Sequence, residues 1–351
     1  MELTNELTNM VKNGHVDFSD IRIAVIGDCM LDIYCYGDVD RISPEAPIPI
    51  FKIGNEEPEH RLGGACNTAM NLAKLGVKTS LFGFVGKDLG ATYIKTYLLE
   101  YAAVDYHLFD LSNFPTITKN RYFSKGQQII RIDQECIDGL VYNRTTQKKL
   151  IQSFMGTFDI FKRFDAIIFS DYGKGALNHP VLPSIKKACM EKQIPIFVDP
   201  KLTNWEPYRG AFCITPNWYE FKGVCHTPGL KFDETDEITK WGQILCEKYD
   251  LEYILITKGN KGMTLINKNG QANNVKAEKS EIYDVSGAGD TVVAVFTAAH
   301  AKKYSLITAM QLATMAAKVV IGKLGTYAIT NSELNIELLN STFGKENCNN
   351  V

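Results

Sequence analysis

Three patterns along the chain point to an α/β fold in three layers, a doubly wound and mostly parallel sheet covered by helices on both faces. Short apolar runs rich in β-branched residues recur, as buried parallel strands require. Helical patterns alternate with several of them, the rhythm of strand, crossover helix and strand. Polar residues gather immediately after the runs, where open α/β sheets bind ligands.

From the N-terminus, residues 1–20 are polar and of mixed charge, lack the apolar core of a signal peptide, and are expected to form a loose tail. Strands are expected at residues 21–27, 79–85, 166–170, 194–198, 212–215 and 253–257, each a short apolar run. Helices are expected over 67–75, 181–192, 235–249, 291–303 and 307–323. Two segments break this rhythm. Residues 36–53 are rich in Pro and Ile, and 117–133 carry two strand-like runs around Ser124-Lys125-Gly126-Gln127, the pattern of a β-hairpin. Residues 36–53 and 115–133 are therefore expected to form a small β sheet inserted in one domain over 21–335, with 336–351 as a C-terminal tail. Such a sheet can cover a cleft as a lid, pair with a second copy in a homodimer, or amount to plain surface hairpins.

Composition narrows the function classes. Hydrophobic residues at 45% and charged residues at 22% of 351 are those of an ordinary globular protein. A formal net charge of -2 supplies no general field for nucleic acid or anionic lipid, so an anionic ligand has to be gripped locally. No run reaches the ~18 apolar residues of a membrane span. Nine cysteines, odd in number and without a C-x-x-C pair, are expected as reduced thiols in the cytoplasm. Six histidines without H-x-x-x-H spacing argue against a protein-built zinc site.

The most informative stretch is Asp284-Val285-Ser286-Gly287-Ala288-Gly289-Asp290-Thr291, which runs straight into an apolar helix. Small residues ahead of a helix leave its first N–H groups accessible, so Gly287, Ala288 and Gly289 suit an anion hole for a phosphate. Asp290, in the first turn, is placed to accept a proton from an attacking hydroxyl; Asp is equally a favoured helix cap. Phosphoryl transfer asks for little more than such positioning and charge stabilisation.

Five strand ends carry polar groups: Asp28 and Asp32; Asp171-Tyr172-Gly173-Lys174; Asp199-Pro200-Lys201; Asn217 and Glu220; and Thr257-Lys258-Gly259. Each alone reads as a turn or cap, but together they converge on one crevice. Asn217 and Glu220, three apart, can face one way and hold hydrated Mg²⁺. Lys201 can neutralise phosphate charge. Neither a Walker A sequence nor a G-x-G-x-x-G after the first strand is present, which weakens P-loop and dinucleotide-dehydrogenase readings. Upstream, Gly63-Gly64-Ala65-Cys66-Asn67 precedes a helix; the glycines allow close backbone approach, plausibly to a sugar, and Asn67 offers a donor and an acceptor, although a tight turn with an Asn cap fits equally.

In this order and spacing the three elements resemble the ribokinase/PfkB family of carbohydrate kinases over roughly residues 21–330. The resemblance implies a ribokinase-like fold and a kinase using ATP and Mg²⁺. Asp32, Gly63, Gly64 and Asn67 would bind the sugar, Asn217 and Glu220 organise Mg²⁺ and phosphates, with Thr257 and Gly259 beside the nucleotide, and Asp290 act as base. The stretches Gly27-Asp28-Cys29-Met30-Leu31-Asp32, Arg41-Ile42-Ser43-Pro44-Glu45-Ala46-Pro47, Ser170-Asp171-Tyr172-Gly173-Lys174-Gly175-Ala176-Leu177, Thr215-Pro216-Asn217 and Gly322-Lys323-Leu324-Gly325-Thr326 look like the D-glycero-β-D-manno-heptose-7-phosphate kinases of lipopolysaccharide-core biosynthesis. That likeness implies a small-molecule sugar phosphate as partner, phosphorylated at its anomeric hydroxyl to the 1,7-bisphosphate. Arg41, Arg131 and Lys174 are expected at the substrate's phosphate, with Asp171 also on the substrate side. Ile33 and Cys35 depart from the pattern, standing where a basic and an aromatic residue are expected. The small residues Ala309, Ala313, Ala316 and Ala317 either make room for adenine or serve helix packing. Many relatives carry an adenylyltransferase domain; no H-x-G-H motif is present here, so the following step is expected of another protein. The rival readings are a kinase for a hexose 6-phosphate or a nucleoside, and, in another class, a non-catalytic sensor on the same fold.

Overall fold

The computed structural model describes residues 3–13, 15–101, 104–112, 114–135, 144–160, 164–177, 180–201, 204–226, 238–278 and 280–343. Its strands are β1 (Arg22–Ile42), β2 (Pro49–Ile53), β3 (Glu59–Gly64), β4 (Lys78–Gly86), β5 (Val104–Leu111), β6 (Ile117–Ser124), β7 (Gln127–Gln134), β8 (Ala166–Ser170), β9 (Ile196–Asp199), β10 (Cys213–Ile214), β11 (Tyr253–Thr257), β12 (Met263–Asn267) and β13 (Ala272–Val275). The main sheet runs β13-β12-β11-β10-β9-β8-β1-β4-β5, parallel from β11 through β5 and antiparallel only where β12 and β13 extend it.

β1 shows why apolar runs, rather than alternating ones, make this sheet. Ile23 and Val25 join one buried core with helices Ala65–Lys74, Ala288–Ala301 and Leu306–Ile321, whereas Ala24 and Ile26 join a second core with helices Arg144–Ile160, Val181–Glu191, Trp218–Cys225 and Ile238–Tyr249. Successive side chains point to opposite faces, so a strand covered on both has no polar face to show. The helix expected over 235–249 begins at Ile238; residues 235–237, like Cys136 and Cys348, lie outside the described residues.

β1 is also the hinge between the main sheet and the small one. Its first seven residues, Arg22–Asp28, pair with β4, and Ile23–Gly27 with β8 on the other side. From Cys29 onward it leaves the main sheet and pairs with β3 and β6, and from Gly37 with β2. β7 then hairpins back on β6 through Lys125-Gly126, both at positive φ, as a two-residue hairpin turn demands. This accessory sheet therefore reaches beyond 36–53 and 115–133: it starts at Cys29 and includes β3. Gly63 and Gly64 close that strand, paired with Met30 and Cys29, instead of forming a free turn; without side chains they leave no strand pattern to detect.

Where they are described, the ends differ from the loose tails expected at 1–20 and 336–351; residues 1–2, 14 and 344–351 lie outside the described residues. Asn5–Asn13 is a helix that buries Leu7, and Val16 and Phe18 are buried after it. Leu3, Leu7 and Met10 recur at helical spacing, which gives this polar segment one apolar stripe. At the other end, Asn331–Phe343 is helical and buries Leu334 and Leu338.

Candidate active site

Asp290 sits in the first turn of helix Ala288–Ala301 and is 1% exposed. Three donors hold its carboxylate: Asn67 Nδ2 at 2.8 Å on Oδ2, with the Tyr172 hydroxyl at 2.8 Å and Thr68 Oγ1 at 3.3 Å on Oδ1. Burial is the largest influence and raises its pKa to about 6, against the lowering effect of those hydrogen bonds. Tyr172, half-buried, is held well above the ordinary phenol range by desolvation and then by the Asp290 charge, so it stays a donor. Gly287, at φ +78°, precedes the helix; a Cβ there would stand 2.6 Å from Asn67 Nδ2 and push away the residue that orients Asp290.

A second layer fixes these donors. Thr291 Oγ1 donates to Asn71 Oδ1 at 3.0 Å, and Asn71 Nδ2 donates to the Asn67 carbonyl at 2.9 Å. The buried Asp28 carboxylate accepts the N–H groups of Tyr172, Lys174 and Ala176 at 2.8, 3.0 and 2.9 Å, which shapes the loop that carries Tyr172. Asn67, expected to face a sugar, spends its amide on Asp290 and so acts here by positioning the carboxylate.

Beside Asp290 opens a cavity of about 1060 Å³ whose walls bring together Gly287, Gly289, Asp171, Asp199, Lys201, Asn217, Glu220, Thr257 and Gly259. Four of the five expected strand ends converge there, those after β8, β9, β10 and β11; Asp28 is buried behind the Tyr172 loop and Asp32 lies in the accessory sheet. Gly289 faces open space, while the Ala288 N–H turns back to the Val285 carbonyl at 3.3 Å. Asn217 and Glu220 form a capping box: Asn217 Oδ1 accepts from the N–H groups of Tyr219 and Glu220, and Glu220 Oε2 accepts from the Asn217 N–H, each at 2.9 Å. Their spacing of three is first of all a helix start. The remaining Glu220 oxygen, Oε1, accepts from Lys201 Nζ at 2.8 Å. Asp199 is half-buried, and desolvation followed by the Asp290 and Glu220 charges keeps its pKa well above the carboxylate range. Asp199 thus feels the Asp290 and Glu220 charges with Lys201 as the opposing cation, a balance that a divalent cation or its phosphate complex would shift.

On the accessory side, Asp32 is 2% exposed and ion-paired with the buried Arg121. A Cβ at Gly63 would lie 2.6 Å from Asp32 Oδ2, so glycine is needed for this carboxylate to fit. Ile33 and Cys35 alternate to the opposite face of β1 from Asp32, so their departure from the expected pattern does not touch that side.

The expected phosphate-end cations are not brought together. Arg41 is exposed nine positions beyond Asp32, about 30 Å along an extended strand. Arg131 is exposed on β7 and chelates Asp133 at 2.8 and 3.0 Å, and Lys174 pairs with Glu135. Asp171, expected on the substrate side, instead accepts from the Gly173 N–H at 2.7 Å and the Tyr208 hydroxyl at 2.5 Å. Ala309, Ala313 and Ala316 are fully buried in the core and Ala317 is half-buried against it, which favours helix packing. Arg121, Lys119 and Thr68 were not singled out from sequence, and Tyr172 only as part of a strand-end group; the one signal, Lys119 and Arg121 alternating on a strand, means something only once β6 is known to lie beside Asp32.

A buried, hydrogen-bonded aspartate at a glycine-led helix start, opening on a crevice at the strand ends, suits a phosphoryl-transfer enzyme. The pfkB family carbohydrate kinase model matches residues 20–333, and the chain belongs to that family. It is 42% identical over 318 residues to the bifunctional protein HldE of Vibrio atlanticus (strain LGP32), covering 91% of this chain and 63% of that protein. Against the bifunctional protein HldE of Pasteurella multocida (strain Pm70) it is 38% identical over 331 residues, 94% of this chain and 65% of that protein. The chain thus spans somewhat less than two thirds of these relatives. Among solved structures, Arabidopsis thaliana ribokinase complexed with ribose and ATP superposes with TM-score 0.67 at 18% identity, over 91% of this chain and 98% of that one. Escherichia coli phosphofructokinase-2 in complex with substrates and products gives TM-score 0.73 at 16% identity, with the same coverages. At these identities the likeness speaks for the ribokinase-like fold.

Proposed function

We propose that the chain transfers the γ-phosphoryl group of ATP to O1 of D-glycero-β-D-manno-heptose 7-phosphate, giving the 1,7-bisphosphate and ADP. The observation that carries the chemistry is Asp290: its carboxylate is buried, oriented by three donors and raised to a pKa of about 6, so at neutral pH it is ionised yet more basic than an ordinary aspartate. It takes the proton of the acceptor hydroxyl as that oxygen bonds to the γ-phosphorus and the bond to the β–γ bridging oxygen breaks. ATP occupies the large cavity, with Gly287 and Gly289 against its phosphates and Thr257 and Gly259 also lining its site. Mg²⁺, when bound, would supply charge neutralisation to the phosphates. Glu220 would hold it through water, since among the described residues no three His, Cys, Asp or Glu side chains make a metal cage.

The sugar reading rests on likeness: the stretches at 41–47 and 170–177, together with 42% identity to a bifunctional HldE protein, favour a heptose phosphate over a hexose phosphate. The seven described cysteines are all buried free thiols, which suits a cytoplasmic enzyme. The accessory sheet is the element proposed to close over the acceptor and to meet a second copy. A coupled ADP-release assay over a panel of acceptors tests the reading, with phosphorus NMR to locate the new phosphate. The expected result is turnover with the heptose 7-phosphate and a new anomeric phosphate. Preference for fructose 6-phosphate or a nucleoside would contradict the sugar assignment and leave the kinase chemistry standing.

A further inference from the structure

The accessory sheet sets a row of charges side by side. In register, Lys119 of β6 stands next to Asp32 of β1 on one side and Asp133 of β7 on the other, and residues directly opposite on neighbouring strands carry their side chains on one face. Both carboxylates are already taken. Arg121 pairs with Asp32, and Arg131 chelates Asp133. Lys119 is the cation left over: among the described residues no carboxylate lies within ion-pair distance of its ammonium.

That ammonium lies 5.2 Å over the ring of Tyr172, whose hydroxyl donates to Asp290. Burial lowers its pKa, opposed by the charges of Asp32 and Asp290, so a half-desolvated lysine is held here without a direct partner. Such a group gains from an anion that arrives with the substrate. Lys201 is 6.0 Å from the same ring but belongs to the wall of the large cavity, whereas Lys119 stands on the accessory-sheet side. Tyr172 therefore has a donor-side and an acceptor-side lysine as neighbours.

We propose that Lys119 determines acceptor specificity by binding the phosphomonoester of a sugar phosphate whose hydroxyl faces Asp290. This rests on the kinase reading above and replaces Arg41, Arg131 and Lys174 as the reader of that phosphate. The test is steady-state kinetics of the full chain and of Lys119→Met and Lys119→Arg, with heptose 7-phosphate, free heptose and ATP varied in turn. Lys119→Met should raise KM for the phosphorylated acceptor about 10- to 100-fold, the range of a charge-assisted contact, and reduce the preference for phosphorylated over free sugar by the same factor. KM for ATP should move less than about threefold, and Lys119→Arg should restore part of the preference. A mere folding defect would depress all acceptors alike and would not be repaired by Arg. If wild type shows no preference for the phosphorylated sugar, the substrate reading falls and this inference with it. If wild type shows the preference and Lys119→Met keeps it, or loses kcat equally on both sugars, Lys119 is not the phosphate reader and the kinase reading survives.

Discussion

A carboxylate that must take a proton near neutral pH works best with a pKa above that of free aspartate, and in Asp290 burial supplies the rise while Asn67, Thr68 and Tyr172 limit it. Because the base form is the active one, kcat/KM should fall about tenfold per pH unit below about 6. Tyr172→Phe removes a hydrogen bond that stabilises the ionised form; the acidic limb should then move to higher pH, with roughly tenfold less activity on that limb. An unmoved limb would take Tyr172 out of contact with the base. The same shift bears on stability. The folded state holds the Asp290 proton more tightly than the unfolded chain, so stability is lost as pH rises through about 6, by on the order of 2–3 kcal/mol. Asp290→Asn should raise Tm at neutral pH, and the gain should shrink as pH falls toward about 4. Sequence could disclose Asp290, since a glycine-rich helix start is a local pattern. It could not disclose Thr68, Lys119 or Arg121, which matter only through partners hundreds of positions or a strand pairing away.

At the scale of elements, the same local features serve both folding and chemistry. The capping box of Asn217 and Glu220 starts helix Trp218–Cys225 and at the same time fixes a carboxylate on the cavity wall. Asn217→Ala should lower unfolding stability by about 1–2 kcal/mol in a urea titration, the usual cost of a lost N-cap. Glu220→Gln should raise the Mg²⁺ concentration for half-maximal rate, and an unchanged Mg²⁺ dependence would reduce Glu220 to its capping role. Gly63→Ala would press a methyl group onto Asp32 Oδ2 and should weaken acceptor binding more than ATP binding. The core strands β4, β8 and β11 were legible because both their faces are buried and their sequences are unbroken apolar runs. β5 and β13 were not, since Val104–Leu111 is mostly half-exposed and β13 is nearly all exposed, which leaves no apolar run to see. Helix Asn5–Asn13 escaped for a different reason: its few apolar residues, three or four apart, stand in a polar segment.

At the scale of the molecule, three layers and a side sheet grown from one long strand place the acceptor-side charges of β1 and β6 against the helix start that carries Asp290. The order of layers was legible from alternation of strands and helices; that β1 leaves the main sheet at Asp28 and reappears in the accessory one was not, because nothing in an extended run marks where its partners change. The accessory sheet exposes Ile42, Ile53, Ile130 and Ile132, each half-exposed or more, and the proposed homodimer would cover them. Light scattering should then show a dimer that Ile130→Asp with Ile132→Asp converts to monomer; a monomeric wild type would remove the dimer. Everything proposed for catalysis nevertheless converges on one side chain. The direct test is the turnover of Asp290→Asn at saturating MgATP and heptose 7-phosphate, with ATP affinity measured alongside. A fall in kcat of about 10²–10⁴ with ATP affinity nearly unchanged is expected of a lost general base, whereas turnover above half the wild-type rate would make Asp290 a helix cap and contradict the mechanism.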